Sequence, residues 1–361
     1  MKQYEPLFEQ EESDAVCSYM RLGAWLTEYV YTAQLEQMFC SFLGVKHCVM
    51  MPNGTLALYA ALRGMDICLG DCVIVPALTM IATPNAVEMT FAHPTFVDIE
   101  PTTLCADIEK IRQSLRSPPR KRAVLYVSLN GRCGDMDALV SLCKEAGVFL
   151  IEDACQALGS QWHGKALGTF GDIGCFSLSC QKICSTGVGG FCVTNNDKIA
   201  EKLRLFKDFG RRKGGSDDYE VFGINLKFTD LQAVVGIEQV KKLPERIEQK
   251  RRMYALYARL LRDIEGIEVL PSHEGMTPWF MDVLAERRED LQQYLWECGI
   301  DTRKMYPALH KTKVYAPLYG HYSFPIAEDV ARRGVWLPSS LTLGYDEIHH
   351  IYDEIRKFYG N

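Results

Sequence analysis

The sequence predicts an α/β protein in which a large, mainly parallel sheet domain precedes a smaller α+β domain. Between about residues 45 and 195, short apolar runs bounded by turn residues alternate with amphipathic segments. Apolar strands separated by helices are typical of a parallel sheet covered on both faces. From about residue 246 the strands become shorter. We therefore place the large domain at residues 1–245 and the small domain at residues 246–361.

The elements follow in order along the chain. The predicted strands of the large domain are HCVMMP, CVIVPA, PTFVDI, AVLYVSL, VFLIED, CFSLS and GGFCVT. Residues 107–115 and 135–145 carry apolar residues at helical spacing. A long charged helical stretch follows, with a predicted break near Pro244. In the small domain, IEVLP and WFMDVLA are predicted strands, and REDLQQYLWECG and YDEIHHIYDEIRKFY are predicted helices.

The composition narrows the class of protein. Hydrophobic residues make up 47% and charged residues 24%, as in an ordinary soluble globular protein. The net charge is −6 without a broad basic stripe, so we expect no nucleic-acid partner. The acidic N-terminus lacks the apolar core of a signal peptide, and no long apolar stretch occurs. We expect a cytoplasmic protein with no membrane partner.

The 14 cysteines lie mostly within apolar runs, where cysteine behaves as a small core residue. We therefore expect reduced thiols. Cys175, Cys180 and Cys184 contain no CxxC pair, so we predict no metal site.

Ligands of open α/β sheets bind at the carboxyl ends of the strands. Three predicted strands are followed there by polar groups, and the first of them is the strand in MMPNGT. A helix is predicted to begin at Asn53, Gly54 and Thr55. Backbone N–H groups at a helix start attract anions, and the Thr55 hydroxyl adds a further donor. Taken alone, this stretch is more often a simple helix cap.

A second strand end delivers Glu152 and Asp153, whose side chains must point to opposite faces of the sheet. At most one of them can therefore face a given pocket. The carboxylate could cap a helix beginning at Ala154, or it could pair with a protonated heterocyclic nitrogen. On this stretch alone the cap is the favoured interpretation.

The third stretch, GCFSLSCQKICSTGVGG, places Lys182 among small and apolar residues before a glycine-rich turn. A lysine there either reaches water or has a lowered pKa and acts as a nucleophile. Ser177, five residues earlier, offers a hydroxyl for a phosphate. Together, an anion-binding turn, a strand-end carboxylate and a desolvated lysine match the phosphate, ring nitrogen and aldehyde of pyridoxal 5′-phosphate (PLP).

Across nearly the whole chain the sequence resembles the DegT/DnrJ/EryC1/StrS family of sugar aminotransferases. The resemblance rests on several motifs in order: WLTEYVYTAQLEQMFCSFLGVKHCV, NGTLALYAAL, IEDACQALGS, GDIGCFSLSCQKICSTGVGGFCVT and GINLKFTDLQAVVGIEQVKKL. It implies the aspartate-aminotransferase fold (fold type I), with a large sheet of the seven-stranded type. It also implies PLP as cofactor, with the pyridoxamine form in the half-reaction.

The resemblance assigns roles to individual residues. Lys182 would be the catalytic residue and would bind PLP covalently, Asp153 would pair with the ring nitrogen, and Gln156 would lie near the ring oxygen. The phosphate would be held by the segment from Asn53 to Leu56, with Gly54 and Thr55, and by Ser177. Asn225 would reach the phosphate from a neighbouring subunit, so a homodimer with shared active sites is implied.

Two departures from the family pattern concern the cofactor pocket. Met80 stands where most members carry an aromatic residue that stacks on the ring, and a thioether stacks less specifically. Ser179 and Cys180 replace a commoner version that contains histidine. Neither change removes a catalytic group.

Within the family, VSLNGRCGDMD and TPWFMDVL look most like members that aminate C4 of a nucleotide-linked 4-keto-6-deoxyhexose, including GDP-perosamine synthases of polysaccharide biosynthesis. By that resemblance the substrate would be GDP-4-keto-6-deoxymannose and the donor glutamate. A dTDP- or UDP-linked keto-sugar aminated at C4 or C3 is the alternative. Candidates for substrate binding are Arg211, Arg212, Lys227 and Arg303 for the diphosphate, and Trp25, Thr27 and His310 for the sugar.

Other classes of protein remain as rival interpretations. A branch of the family that removes the C3 hydroxyl carries histidine in place of the lysine, so Lys182 argues against it. A non-catalytic regulator of the same fold would be expected to add a DNA-binding segment, which the sequence does not suggest. A cysteine desulfurase would need a mobile cysteine, whereas these cysteines lie mostly in predicted strands.

Overall fold

The computed structural model describes residues 1–360. Its strands are β1 (His47–Met51), β2 (Cys72–Pro76), β3 (His93–Val97), β4 (Ala123–Val127), β5 (Phe149–Asp153), β6 (Gln161–Trp162), β7 (Lys165–Ala166), β8 (Ile173–Ser177), β9 (Gly190–Thr194), β10 (Ile267–Val269), β11 (Met281–Ala285), β12 (Arg303–Lys304) and β13 (Gly334–Leu337). All seven predicted strands of the large domain are present, each with its boundary within a few residues of the prediction.

Helices cover both sheets. They are α1 (Gln10–Arg21), α2 (Val30–Leu43), α3 (Gly54–Gly64), α4 (Ala82–Glu88), α5 (Ile108–Arg116), α6 (Met136–Ala146), α7 (Asp197–Lys207), α8 (Asp230–Lys241), α9 (Leu243–Leu261), α10 (Arg288–Glu297), α11 (Ala316–Tyr319), α12 (Pro325–Arg333) and α13 (Tyr345–Tyr359). The predicted break near Pro244 is confirmed, because α8 ends at Lys241 and Pro244 is the second residue of α9, in the first turn, where its missing N–H costs no hydrogen bond.

The large sheet has, in the described chain, seven strands in the order β1-β9-β8-β5-β4-β2-β3. The pairs among β3, β2, β4, β5 and β8 are parallel, and β9 runs antiparallel to both β8 and β1. The sheet is therefore mainly parallel, as predicted. Strands β1, β2, β5 and β8 run in the same direction, so their carboxyl ends meet at one edge of the sheet.

The second sheet is antiparallel, with the order β10-β11-β13-β12 over the residues described. A hydrophobic cluster fills the space between this sheet and α9, α10 and α13, and includes Met253, Leu291 and Ile351. The cluster around the large sheet extends to Trp279, Phe280 and Trp336 at the junction of the two sheets. The boundary placed at residues 245 and 246 falls inside α9 and stays a prediction.

A buried ion pair joins the two sheets. Arg132 follows β4 and donates to both carboxylate oxygens of Asp282 in β11, each at 2.7 Å. The same guanidinium donates to the Tyr254 hydroxyl at 2.7 Å. Because both charges are buried and fully hydrogen-bonded, the pair fixes the position of β11 against the large sheet.

Among residues 1–360, no helix combines the length and the apolar character that crossing a membrane requires.

Candidate active site

A cavity of about 330 Å³ lies at the edge where the carboxyl ends of β1, β2, β5 and β8 meet. It contains most of the residues that the sequence predicts for the cofactor site. Its lining comprises Asn53, Gly54, Thr55, Leu58, Met80, Ala82, Asp153, Cys155, Gln156, Ser177, Ser179, Gln181, Lys182, Trp279, Arg303 and Tyr306.

Lys182 lies in the loop between β8 and β9, and this loop is fixed from several sides. The Lys182 N–H donates to Ser179 O at 2.9 Å, closing a turn. The Lys182 carbonyl accepts from the Tyr4 hydroxyl at 3.2 Å, and the Gln181 carbonyl accepts from the Trp279 indole N–H at 2.6 Å. The backbone therefore presents the amine to the cavity in a defined position.

Burial lowers the pKa of Lys182 to about 8, and the positive charge of Arg303 acts in the same direction. Cys155 and Asp153 act in the opposite direction. Because burial disfavours the ammonium, a larger fraction of this lysine is a neutral amine near neutral pH than of an exposed lysine. The sequence motif left open whether the lysine reaches water, and the structure places it in the cavity.

The two acidic residues at the end of β5 have separate functions, as strand alternation requires. Glu152 points away from the cavity and accepts from the backbone N–H groups of Gly168, Phe170 and Gly171 at 2.6 to 2.7 Å. Asp153 lines the cavity and accepts from the Thr83 hydroxyl at 2.8 Å. Asp153 is thus the member of the pair that can contact a ligand.

The helix-cap interpretation of Asp153 is wrong, because turns and not a helix follow β5. The Asp153 carboxylate accepts from the Cys155 backbone N–H at 3.2 Å, a local turn contact. Its oxygens retain lone pairs for a further donor.

The anion site predicted at Asn53 to Thr55 coincides with the N-terminus of α3. The Asn53 side chain caps the helix by accepting from the Leu56 N–H at 2.9 Å. The predicted cap is therefore present, and it is compatible with an anion site at the same helix end. Gly54 leaves room in this cradle: a Cβ there would lie 2.9 Å from Ser177 Cβ and 3.0 Å from Cys155 Sγ. Helix N–H groups and the Thr55 and Ser177 hydroxyls can therefore surround an anion.

Gln156 is fixed at the side of the cavity. Its Oε1 accepts from the Asn130 N–H at 3.0 Å, and its Nε2 donates to the Tyr306 hydroxyl at 3.3 Å. Asn130 in turn exchanges two hydrogen bonds with the backbone of Phe280, which follows Trp279. This network connects the cavity wall to the second sheet. Met80 lies opposite at the opening, with its side chain half exposed.

Five predicted substrate contacts line another cavity. This cavity, of about 910 Å³, includes Trp25, Thr27, Arg211, Arg212 and Lys227 but not Lys182. Within this chain the cations are already paired, since Lys227 lies 2.8 Å from Asp208 and Arg212 contacts Glu201 and Glu220. The single protomer therefore does not bring these residues to Lys182.

The remaining predicted residues have other positions. Asn225 lies beside Lys227 and accepts from its N–H at 3.1 Å, outside the lysine cavity. Leu56 belongs to α3 behind the cavity lining. His310 is fully buried with Nε2 2.9 Å from Glu328, so within residues 1–360 it does not face the cavity that was predicted to hold the sugar.

The sequence analysis did not identify Trp279, Tyr306 or Thr83 as site residues. Trp279 lies in the stretch TPWFMDVL, Tyr306 lies close to His310 in YPALH, and Thr83 lies close to Met80 in PALTMIAT. The local sequence shows only an aromatic residue at the start of a predicted strand, as at Trp279, or a hydroxyl shortly after a turn, as at Thr83. Such signals are too common to point to a cavity.

Chemically, the site combines a desolvated primary amine, a buried carboxylate and a helix-end anion cradle within one small cavity. The arrangement can bind a phosphorylated heteroaromatic aldehyde through three separate contacts. These donors fit PLP, since the cradle is open at Gly54 and the carboxylate has free acceptor capacity.

Comparison with known proteins agrees with this geometry. The model of the DegT/DnrJ/EryC1/StrS aminotransferase family matches residues 6–356. The chain is 32% identical to GDP-perosamine synthase of Escherichia coli O157:H7, covering 99% of this chain and 98% of the relative. It is 31% identical to dTDP-4-dehydro-2,3,6-trideoxy-D-glucose 4-aminotransferase of Saccharopolyspora spinosa, covering 98% and 95%. The crystal structure of S. venezuelae DesV with a ketimine intermediate is similar with a TM-score of 0.92, 30% identity and coverage of 97% and 95%.

Proposed function

Given that the chain belongs to the DegT/DnrJ/EryC1/StrS family of PLP-dependent sugar aminotransferases, we propose that it aminates C4 of a nucleotide-linked 4-keto-6-deoxyhexose. The best-supported substrate is GDP-4-keto-6-deoxymannose, which would give GDP-perosamine, and the proposed donor is glutamate. The observation that carries the proposal is the meeting of Lys182, Asp153 and the α3 N-terminus in one cavity.

The reaction exchanges an amine for a carbonyl oxygen. The donor amino acid loses the amino group and the hydrogen of its α-carbon and becomes a 2-keto acid. C4 of the sugar gains that nitrogen and one hydrogen in place of its keto oxygen. PLP, when bound, supplies an aldehyde that holds the nitrogen between the two halves and a ring that accepts electrons from the substrate carbon.

Each protein group has a defined task in this reaction. Asp153, held by Thr83, would place its carboxylate at the ring nitrogen of the cofactor. The α3 N-terminus with Thr55 and Ser177 would bind the phosphate. Lys182 would hold the cofactor through its aldehyde and, once displaced by the donor's amine, would take the proton from the donor's α-carbon and later deliver a proton to C4 of the sugar. Trp279 and Met80, which line the cavity, would limit the access of water to this amine.

Removal of the amine tests the mechanism. Lys182→Ala should abolish amino transfer, and borohydride reduction of the native protein should attach the cofactor at Lys182. Normal turnover by Lys182→Ala, or fixation at another residue, would contradict the mechanism. Cofactor binding without any turnover by the native protein would favour a non-catalytic regulator.

The substrate is tested separately, with glutamate as donor and GDP- and dTDP-linked 4-keto-6-deoxy sugars as acceptors. The position and configuration of the new amine are then determined on the product. Faster turnover of the dTDP-linked sugar would favour the alternative that the Saccharopolyspora relative represents. An equal rate with 3-keto sugars would exclude selective amination at C4.

A homodimer with shared active sites is part of the proposal. Trp25 and Tyr29 are 70% and 65% exposed in the single chain, which suits an interface. The larger cavity holds Lys227, which lies beside Asn225, and four further predicted substrate contacts, but it does not contain Lys182. These residues would serve the lysine cavity of a second copy.

Subunit complementation tests the shared site. Lys182→Ala and an Asn225→Ala/Lys227→Met double variant should each be nearly inactive, but their co-expression should restore about a quarter of native activity through mixed dimers. Two inactive variants that stay inactive in mixed dimers would show that each site lies within one chain.

A further inference from the structure

Arg303 is, besides Lys182, the only cationic side chain that lines the lysine cavity within residues 1–360. The larger cavity has several cations, among them Arg211 and Lys227. The proposed reaction needs two anionic substrates to approach Lys182 in turn, a donor amino acid and a nucleotide-linked sugar. The position of Arg303 therefore bears on which of the two it binds.

The geometry of β12 directs Arg303 toward the cavity. Arg303 pairs in register with Trp336 of β13, and its guanidinium lies 5.3 Å from the centroid of the Trp336 ring. Trp336 is fully buried and contacts Tyr306, which also lines the cavity. The next residue, Lys304, points to the opposite face and lies 3.1 Å from Glu289.

Arg303 has no carboxylate partner among the described residues, unlike the cations of the larger cavity. Its guanidinium lies over the face of the Trp336 indole, and the residue is exposed to solvent. Burial lowers the pKa of Lys182 and the charge of Arg303 lowers it further, whereas at Tyr306 the same charge opposes the rise in pKa that burial causes, so its field reaches the reacting amine. The guanidinium is thus positioned, charged and free to bind an anion.

We propose that Arg303 binds a carboxylate of the amino donor and so selects an α-amino acid as nitrogen source. The α-carboxylate is attached to the carbon that bears the reacting nitrogen, so it must lie close to Lys182 when the nitrogen is transferred. A planar guanidinium binds a carboxylate through two parallel hydrogen bonds. This inference rests on the proposed aminotransferase function.

The nucleotide diphosphate is the competing anion. In a 4-keto sugar it is attached at C1, across the ring from the reacting C4, so it lies farther from Lys182 than the donor's carboxylate. Arg211, Arg212 and Lys227 line the larger cavity, where each is paired with a carboxylate of this chain, and the proposed dimer would offer them to the diphosphate at the lysine cavity of a second copy. The phosphate of the cofactor has its own proposed binding site in the lysine cavity, at the N-terminus of α3.

The test uses the cofactor-loaded protein and three variants: Arg303→Gln, Arg303→Lys and, as a matched control on the other face of β12, Lys304→Gln. Spectral change on adding glutamate without any sugar measures the donor half-reaction alone. Arg303→Gln should raise the half-saturating glutamate concentration about 10- to 100-fold, the expected loss for charge-assisted hydrogen bonds. Arg303→Lys should be intermediate, and Lys304→Gln should behave as native.

Calorimetric titration with glutarate, a dicarboxylate without an amine, gives a second readout independent of turnover. Its binding should weaken in Arg303→Gln and not in Lys304→Gln. The KM of the nucleotide sugar should change less than threefold. A rise in that KM with unchanged glutamate saturation would assign Arg303 to the diphosphate and overturn the inference, as would no change in either substrate.

The donor half-reaction also separates this inference from the proposed substrate. If glutamate reacts and depends on Arg303 but no 4-keto sugar is aminated, the substrate proposal fails while the donor site stands. If 4-keto sugars are aminated and Arg303→Gln has no effect on the donor, only the donor assignment fails.

Discussion

The Nζ atom of Lys182 lies 3.7 Å from the centroid of the Trp279 ring. The indole is fixed by its N–H, which donates to the carbonyl of Gln181, the residue before the lysine. Burial favours the neutral amine, whereas the face of an aromatic ring attracts the ammonium. Trp279 therefore stabilises the protonated form of Lys182 in a place where water contributes little.

Trp279→Leu should lower the pKa of Lys182 below its native value of about 8, because the ammonium loses the ring face. A cation–π contact of about 0.5 to 1 kcal/mol corresponds to a shift of about 0.4 to 0.7 pH units. The pKa can be measured on cofactor-free protein by ¹³C reductive methylation and NMR, with Lys182→Ala to assign the signal. Trp162→Leu serves as control, and an unchanged pKa in Trp279→Leu would exclude the interaction.

Asp153→Asn and Glu152→Gln should affect different properties, although the residues are adjacent: the first should reduce activity and the second should reduce stability. Asp153→Asn should reduce amino transfer about 100-fold or more, since the negative charge beside the ring nitrogen is lost, and should leave the melting temperature nearly unchanged. Glu152→Gln should destabilise the fold by about 2 to 3 kcal/mol, because an amide cannot accept all three backbone N–H groups equally well.

Thermal unfolding and turnover measured on both variants show which carboxylate serves the reaction and which stabilises the fold. Loss of stability in Asp153→Asn with normal chemistry would reverse the assignment of the two carboxylates.

Gly54→Ala should weaken PLP binding about tenfold, because its Cβ would meet Ser177 and Cys155 in the phosphate cradle. Cofactor affinity is measured by titrating the cofactor-free protein with PLP and following absorbance. Gly64→Ala, at the other end of α3, is the matched control, since its Cβ would meet Leu203 only at 3.4 Å. Equal affinity of both variants would show that the cradle does not hold the phosphate.

Lys250 gives a pH-dependent contribution to stability. Its ammonium is buried, and within residues 1–360 its hydrogen-bond partners are the carbonyls of Trp279 and Ser339 alone; burial lowers its pKa to about 7. Between about pH 7 and 10 the unfolded state binds this proton while the folded state does not, so folding becomes more favourable as the pH rises. Below pH 7 the full cost of the buried charge is present.

Lys250→Met removes this proton linkage. The native protein should therefore gain stability relative to Lys250→Met as the pH rises from about 7 to about 10, whatever the difference at pH 7. Denaturant unfolding at several pH values measures the difference. A constant or opposite trend would show that Lys250 does not titrate in this range.

Much of the fold could be predicted from the sequence, because strand and helix periodicity are properties of contiguous residues. The seven strand segments, the break at Pro244 and the amine of Lys182 were all visible locally. Alternation along β5 also required that Glu152 and Asp153 face opposite ways. It could not say which of them faces the cavity, and the helix expected at Ala154 does not form.

The sequence by itself determined the element types, the acidic pair and the lysine with its glycine-rich turn, since these depend on short-range backbone geometry. Only the tertiary structure decided that Trp279 and Arg303 join Lys182, and that Arg211 and Lys227 do not. The physical reason is that a cavity is formed by side chains distant in sequence, brought together by strand order and by buried contacts such as that of Arg132 with Asp282. No local pattern encodes those pairings.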